Sequence, residues 1–155
     1  MGKIYELTNA ATSRKQRAGA LLNALAVLRG GAKQAQFGTD VAPKVLVMAG
    51  ITCGNPIFNQ LFQDDSAAPV FKVEAFKEVI RDYADRIVSS VVIGIRRDYL
   101  KNDIDVRGLA GWWKVNQEQS AVEGPSEQKG DGSSWVQVKV GTPIDAAKVM
   151  ATSLP

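Results

Sequence analysis

A mixed α/β (α+β) fold, a small sheet with helices packed mainly on one face, is predicted by three observations. Two segments, residues 18–28 and 73–87, repeat apolar side chains at helical spacing. Three short runs, 44–52, 88–100 and 135–140, are rich in β-branched residues or alternate apolar with polar. The chain has 155 residues, a length that suits one domain, 1–155, with a proper core.

Residues 3–7, KIYEL, alternate weakly and fit a short edge strand. The first helix has Ser13 and Gln16 at capping-box spacing and a stripe of Ala18, Leu21, Leu22, Leu25 and Leu28. Gly30 stands where a residue just past a helix end belongs. Lys44–Thr52 is nearly continuous in apolar residues and reads as a central strand buried on both faces, with Gly50 marking a bend or a close neighbour. The turn Cys53–Pro56 and the segment Ile57–Phe62, a short helix or docking piece, follow. A second helix is expected over Val73–Ile87, and a strand over Val88–Leu100 with Val91, Ile93 and Ile95 on one side. Residues 109–115 fit a turn flanked by strand residues, and 116–134 a long, flexible polar loop. The strand Trp135–Val140 leads into a last helix with Thr142 as N-cap, Pro143 in its first turn and Asp145 in the capping-box position. A ferredoxin-like arrangement fits this order of elements.

Composition narrows the chemistry. Hydrophobic residues make up 45% and charged residues 23%, the balance of an ordinary globular protein. There is no histidine and one cysteine, Cys53, so Ser-His-Asp and Cys-His catalysis, the usual zinc sites and an internal disulfide are all excluded. No apolar run approaches the roughly 18–20 residues of a membrane span, and the first sixteen residues lack the apolar core of a signal peptide. A cytoplasmic, non-enzymatic protein without metal or cofactor is the expectation, and the net charge of +3 is compatible with an anionic partner.

Several places remain where chemistry and plain structure compete. Arg29–Gln34, RGGAKQ, is either a helix stop with a solvated lysine or an anion contact. In the second case Gly30 and Gly31 admit close backbone approach and Lys33 adds a point charge. Arg14, Lys15, Arg17 and Arg29 cluster about the first helix. The first three oppose its dipole, so they form either a solvated face or a phosphate track. Arg96-Arg97 poses the same choice, and Asp64-Asp65 fits a solvated pair better than a metal site. Trp112-Trp113 either divides between core and interface or stacks on bases.

Taken together, residues 14–58 carry a more specific pattern: a basic amphipathic helix (Arg14–Leu28), GGAKQ (Gly30–Gln34), DVAPK (Asp40–Lys44), an apolar strand (Val45–Gly50) and a GNPIF turn (Gly54–Phe58). This series resembles the CRISPR-associated autoregulator family DevR, the backbone subunit of Type I Cascade complexes in the RAMP superfamily. The resemblance implies an RRM-like core and a non-catalytic role. Copies of the subunit would hold a guide RNA along its backbone while base pairing reads target DNA. It further implies that Lys33, Gln34, Gly30 and Gly31 lie near the guide phosphates. Arg14, Lys15, Arg17 and Arg29 would be secondary contacts, with Thr52 and Asn55 weaker candidates by position. The match falls in the C-terminal half of that family's longer chains. A sheet incomplete without a partner segment is therefore expected, the partner being further copies, other Cascade subunits or a separate chain supplying the other half.

Overall fold

The sequence VVIGI, four β-branched residues and one glycine, forms the most deeply buried of the described strands, with all five residues out of water. Around it the computed structural model describes residues 9–28, 41–116, 121–131 and 134–154. In chain order the elements are α1 (Ala10–Ala26), β1 (Val45–Met48), β2 (Phe62–Gln63), β3 (Val70–Phe71), α2 (Val73–Asp82) and β4 (Val91–Ile95), followed by α3 (Asp103–Arg107), β5 (Gly111–Asn116), β6 (Ala121–Ser126), β7 (Ser134–Gly141) and α4 (Pro143–Ser153).

Five of the strands build one mixed sheet in the order β1-β4-β7-β5-β6, and β2 and β3 form a separate pair. β4 runs antiparallel to β1 and parallel to β7, while β5 is antiparallel to both β7 and β6. The architecture is mixed α/β with helices packed on the sheet, consistent with a ferredoxin-like α+β fold.

The period of two along β4 sends Val91, Ile93 and Ile95 to one face and Val92 and Gly94 to the other. On the first face Phe76 and Ile80 of α2 and Val106 of α3 join Trp113, Val115, Val136 and Val138 in the main core. On the second, Ala146 and Met150 of α4 pack on Val92, and Leu22 of α1 reaches the same cluster. Helices therefore cover both faces rather than mainly one. The reason lies in β4, whose apolar residues on both sides each require cover.

Gly94 is what lets α4 lie so low. A Cβ there would stand 2.6 Å from the Pro143 Cα and 2.9 Å from the Thr142 carbonyl oxygen. The capping box at the start of α4 is formed as expected: the Thr142 hydroxyl accepts from the Asp145 amide at 3.2 Å, and the Asp145 carboxylate accepts from the Thr142 amide at 3.3 Å.

Other expectations shift. Among the described residues β1 is an outer strand, not a central one, and its four residues are only half-buried. α2 ends at Asp82, because Arg86 and Ile87 both donate to the Tyr83 carbonyl in a turn, and Ile87 goes on to bridge Ile51. Within 116–134, Ala121–Ser126 pairs with β5 as a strand. Gly124 and Pro125 had hidden it, and they sit where the pairing register shifts. Gly50 does have a close neighbour, since its amide donates to the Ser89 hydroxyl at 2.7 Å. The strand expected at residues 3–7 lies outside the described residues.

Candidate nucleic-acid interface

α1 begins at Ala10, three residues before the expected cap. Asn9 takes the N-cap position in the left-handed conformation at φ 59° and provides no side-chain bond, so Ser13 lies inside the helix. No acidic residue sits in the first turn to complement the helix dipole. Instead Arg14, Lys15 and Arg17 project into solvent along the N-terminal half. The Arg14 Nε donates back to the Ala10 carbonyl at 3.3 Å. None of the three pairs with a carboxylate among the described residues.

α1 packs on α4 through its small residues. A Cβ at Gly19 would lie 3.6 Å from the Ala151 Cβ, and Ala26 is the buried residue of the helix. Three of the four leucines of the stripe turn outward, Leu21 at 70% exposed, Leu25 at 41% and Leu28 at 49%, while Leu22 packs against the cluster of Val92, Ala146 and Met150. The close approach of Gly19 to Ala151 sets which side of α1 faces α4, so that only part of the expected stripe is covered.

Two grooves result. One, of about 500 Å³, runs between α1 and α4 and is lined by Lys15, Gln16, Asn23, Lys148 and Thr152 along with Gly19, Ala20 and Ala151. It contains two cations and no acid. Lys148 was not singled out in the sequence. Only the packing of α4 against α1 brings it beside Lys15. The second groove, of about 600 Å³, is apolar and lies between Ala18, Leu21 and Leu22 of α1, Val47 and Met48 of β1, and Pro56–Asn59. Three pieces of the 14–58 pattern, the helix, the strand and the turn, thus border one cleft.

Thr52 and Asn55 are exposed in the turn at the end of β1. The Thr52 amide donates to the Arg86 carbonyl at 3.0 Å, which fixes the turn against the end of α2. Arg97 is exposed beyond β4, and the Arg96 amide donates to the Lys44 carbonyl at 2.8 Å. Asp65 pairs with Lys101 at 2.8 Å, and that bond holds its carboxyl below the usual carboxylate range, with the Ala67 amide adding to the effect. Arg29, Gly30, Gly31, Lys33 and Gln34 lie outside the described residues. No described helix is long and apolar enough to cross a membrane.

Comparison of the chain with protein-family models, with curated proteins and with solved structures gives no match.

Proposed function

We propose that this chain is a non-catalytic CRISPR RNA-binding and assembly subunit of a Type I Cascade surveillance complex, acting in antiviral defence in the cytoplasm. The observation that supports RNA contact is the cationic end of α1. Arg14, Lys15 and Arg17 stand in solvent without a carboxylate partner among the described residues, at the helix end where cations are disfavoured, and Lys148 joins Lys15 across an acid-free groove. Arg29, Gly30, Gly31, Lys33 and Gln34 follow α1 in the sequence and, on the family resemblance, would extend the same contact along the guide. The protein holds the phosphate backbone, and pairing with target DNA belongs to the RNA.

Native purification followed by extraction and sequencing of bound nucleic acid is the direct test. Repeat-flanked guide RNA within a large assembly is the expected result. Replacing Arg14, Lys15 and Arg17 together by Glu should lower RNA retention and flatten the salt dependence of log K by about 2, at roughly 0.7 per single-strand phosphate contact. Unchanged nucleic-acid content and an unchanged salt slope would overturn the RNA reading.

A purely structural role, completing a sheet in a larger assembly while other chains hold the RNA, is favoured by a different observation. Leu21, Leu25 and Leu28 are exposed beside an apolar cleft and next to the outer strand β1. If that role is the whole function, Leu21→Gln with Leu25→Gln will dissolve the assembly and the charge reversals on α1 will leave RNA uptake intact.

A further inference from the structure

Trp112 and Trp113 are neighbours in sequence with opposite surroundings. Trp113 is 2% exposed in the main core, and its indole N–H donates to the Leu109 carbonyl at 2.8 Å. Trp112 points to the other face of the sheet, where it is only half-buried. The β5–β7 register sets Trp112 opposite Gln137 and Lys114 opposite Trp135. Residues directly opposite share a face, so two indoles lie diagonally across adjacent strands with an amide and an ammonium completing the square. Lys139 continues the row on β7, exposed to solvent.

α4 lies along β4 and touches β1 and β7 on this side, which puts the indoles beyond the helix-covered part of the sheet. What leans over them is the segment after β6. Lys129 holds its ammonium 5.8 Å from the Trp112 ring centroid, and a Cβ at Gly130 would stand 2.8 Å from the Trp135 ring. Ser90 donates its hydroxyl to the Gln137 Oε1 at 2.8 Å, so the amide is anchored by its oxygen and still has two N–H donors to offer. The carboxylates nearby are Glu123 on the outer strand, 3.9 Å from Lys114, and the exposed Glu127 and Asp131 flanking Lys129.

We infer that this half-face is a stacking site for single-stranded nucleic acid. Two indole planes take successive bases, the Gln137 amide donates to base edges, and Lys114, Lys129 and Lys139 meet the phosphates. Every base offers a π face, so such a platform is tolerant of sequence. A lysine already sits on one of the planes as a cation–π partner, and the same ammonium can follow a phosphate when a base takes its place. The site is separate from the α1–α4 groove but takes the same class of ligand, so it adds a base contact to the backbone contact proposed there.

The test uses the full chain at low salt, titrated with an oligouridylate of about 12 nucleotides, a length within the range such platforms cover. Labelled-oligonucleotide anisotropy and indole fluorescence are read together, with oligothymidylate as the second arm. Binding is expected to quench indole emission. Trp112→Ala and Trp135→Leu should each weaken affinity about 5- to 150-fold without altering the salt slope. Equal affinity for both oligonucleotides assigns the platform to single strands in general, and preference for the uridylate assigns it to RNA. Should either tryptophan variant fail to fold, Gln137→Leu and the quenching of the wild-type chain carry the decision. Binding that neither quenches the indoles nor responds to these variants overturns the inference. If in that case the Arg14, Lys15 and Arg17 reversals still weaken binding, the α1 reading survives alone. Loss only in the tryptophan variants overturns the α1 reading instead, and no binding at all overturns both.

Discussion

The two faces of the sheet are closed by different means. Below it, α2 and α3 press Phe76, Ile80 and Val106 onto Val91, Ile93, Ile95 and Trp113, all of them at 2% exposure or less. Above it, α4 makes its contact with Ala146 and Met150, α1 adds Leu22, and the remaining half carries Trp112, Trp135 and three lysines. Large side chains that exclude water contribute about 1.5–3 kcal/mol each on burial, so the lower face holds most of the stability. The upper face is thinner, and that leaves cations, amide donors and indole planes at the surface. Stability thus rests mainly on one side of the sheet, and the groups proposed above to meet a ligand lie on the other.

The adjacent tryptophans give the sharpest way to break this comparison. Trp113→Ala removes a fully enclosed ring and orphans the Leu109 carbonyl, and the expected cost is about 3–5 kcal/mol. Trp112→Ala should cost less than about 1 kcal/mol, the scale of a half-exposed site away from the core. Urea unfolding of both variants checks the pair. Equal losses would mean that the upper face is as structural as the lower.

The second break comes at Gly94, where the two helix layers depend on one missing methyl. Gly94→Ala would drive a Cβ against the Pro143 backbone and the Thr142 carbonyl, neither of which can rotate away. α4 must lift, and a loss of about 1–3 kcal/mol is expected by analogy with overpacked cores. Because α1 rests on α4, hydrogen exchange should rise in both helices and not in α2. At Gly50 a Cβ would meet side chains alone, Ser89 at 3.3 Å and the Val88 Cγ2 at 3.5 Å, so Gly50→Ala is the milder control.

Much of this division was legible in the sequence, and the exceptions have physical causes. The alternation of Val91, Ile93 and Ile95, the period-two run of β7 and the Thr142–Asp145 box are local signals, and the structure forms all three. β1 misled because an apolar run does not distinguish a central strand from an outer one bordering a greasy cleft. The leucines of α1 misled because helix periodicity identifies an apolar stripe but not its partner. Here Gly19 lies against Ala151 of α4, and of the four leucines Leu22 joins the packed cluster. β6 was missed because Gly124 and Pro125 are strand breakers by propensity, and pairing with β5 overrides them. Lys148 beside Lys15 is a tertiary fact with no local signature.

The smallest expected effect tests whether α4 is seated on the sheet by its cap or by its packing. Thr142 donates its hydroxyl to the Asp145 carboxylate at 2.6 Å, and this bond, followed by the one from its own amide, holds the Asp145 carboxyl below its usual range. A depressed carboxylate stabilises the fold only above its unfolded-state value, near pH 4, and the contribution disappears as pH falls through the folded value. Thr142→Ala removes the hydroxyl and with it the larger cause of that depression, leaving the bond from the backbone amide. Its melting temperature should fall about 2–4 °C below wild type at pH 7, and the gap should narrow as pH falls below about 4 and Asp145 protonates in both proteins. Thermal melts across that range decide the matter. A gap that persists unchanged in acid would assign the cap to the neutral bond between the Asp145 amide and the Thr142 hydroxyl, with the carboxylate adding nothing. A gap that closes makes the charge on Asp145 the element that tightens α4 onto Gly94, and with it the thin upper layer on which α1 rests.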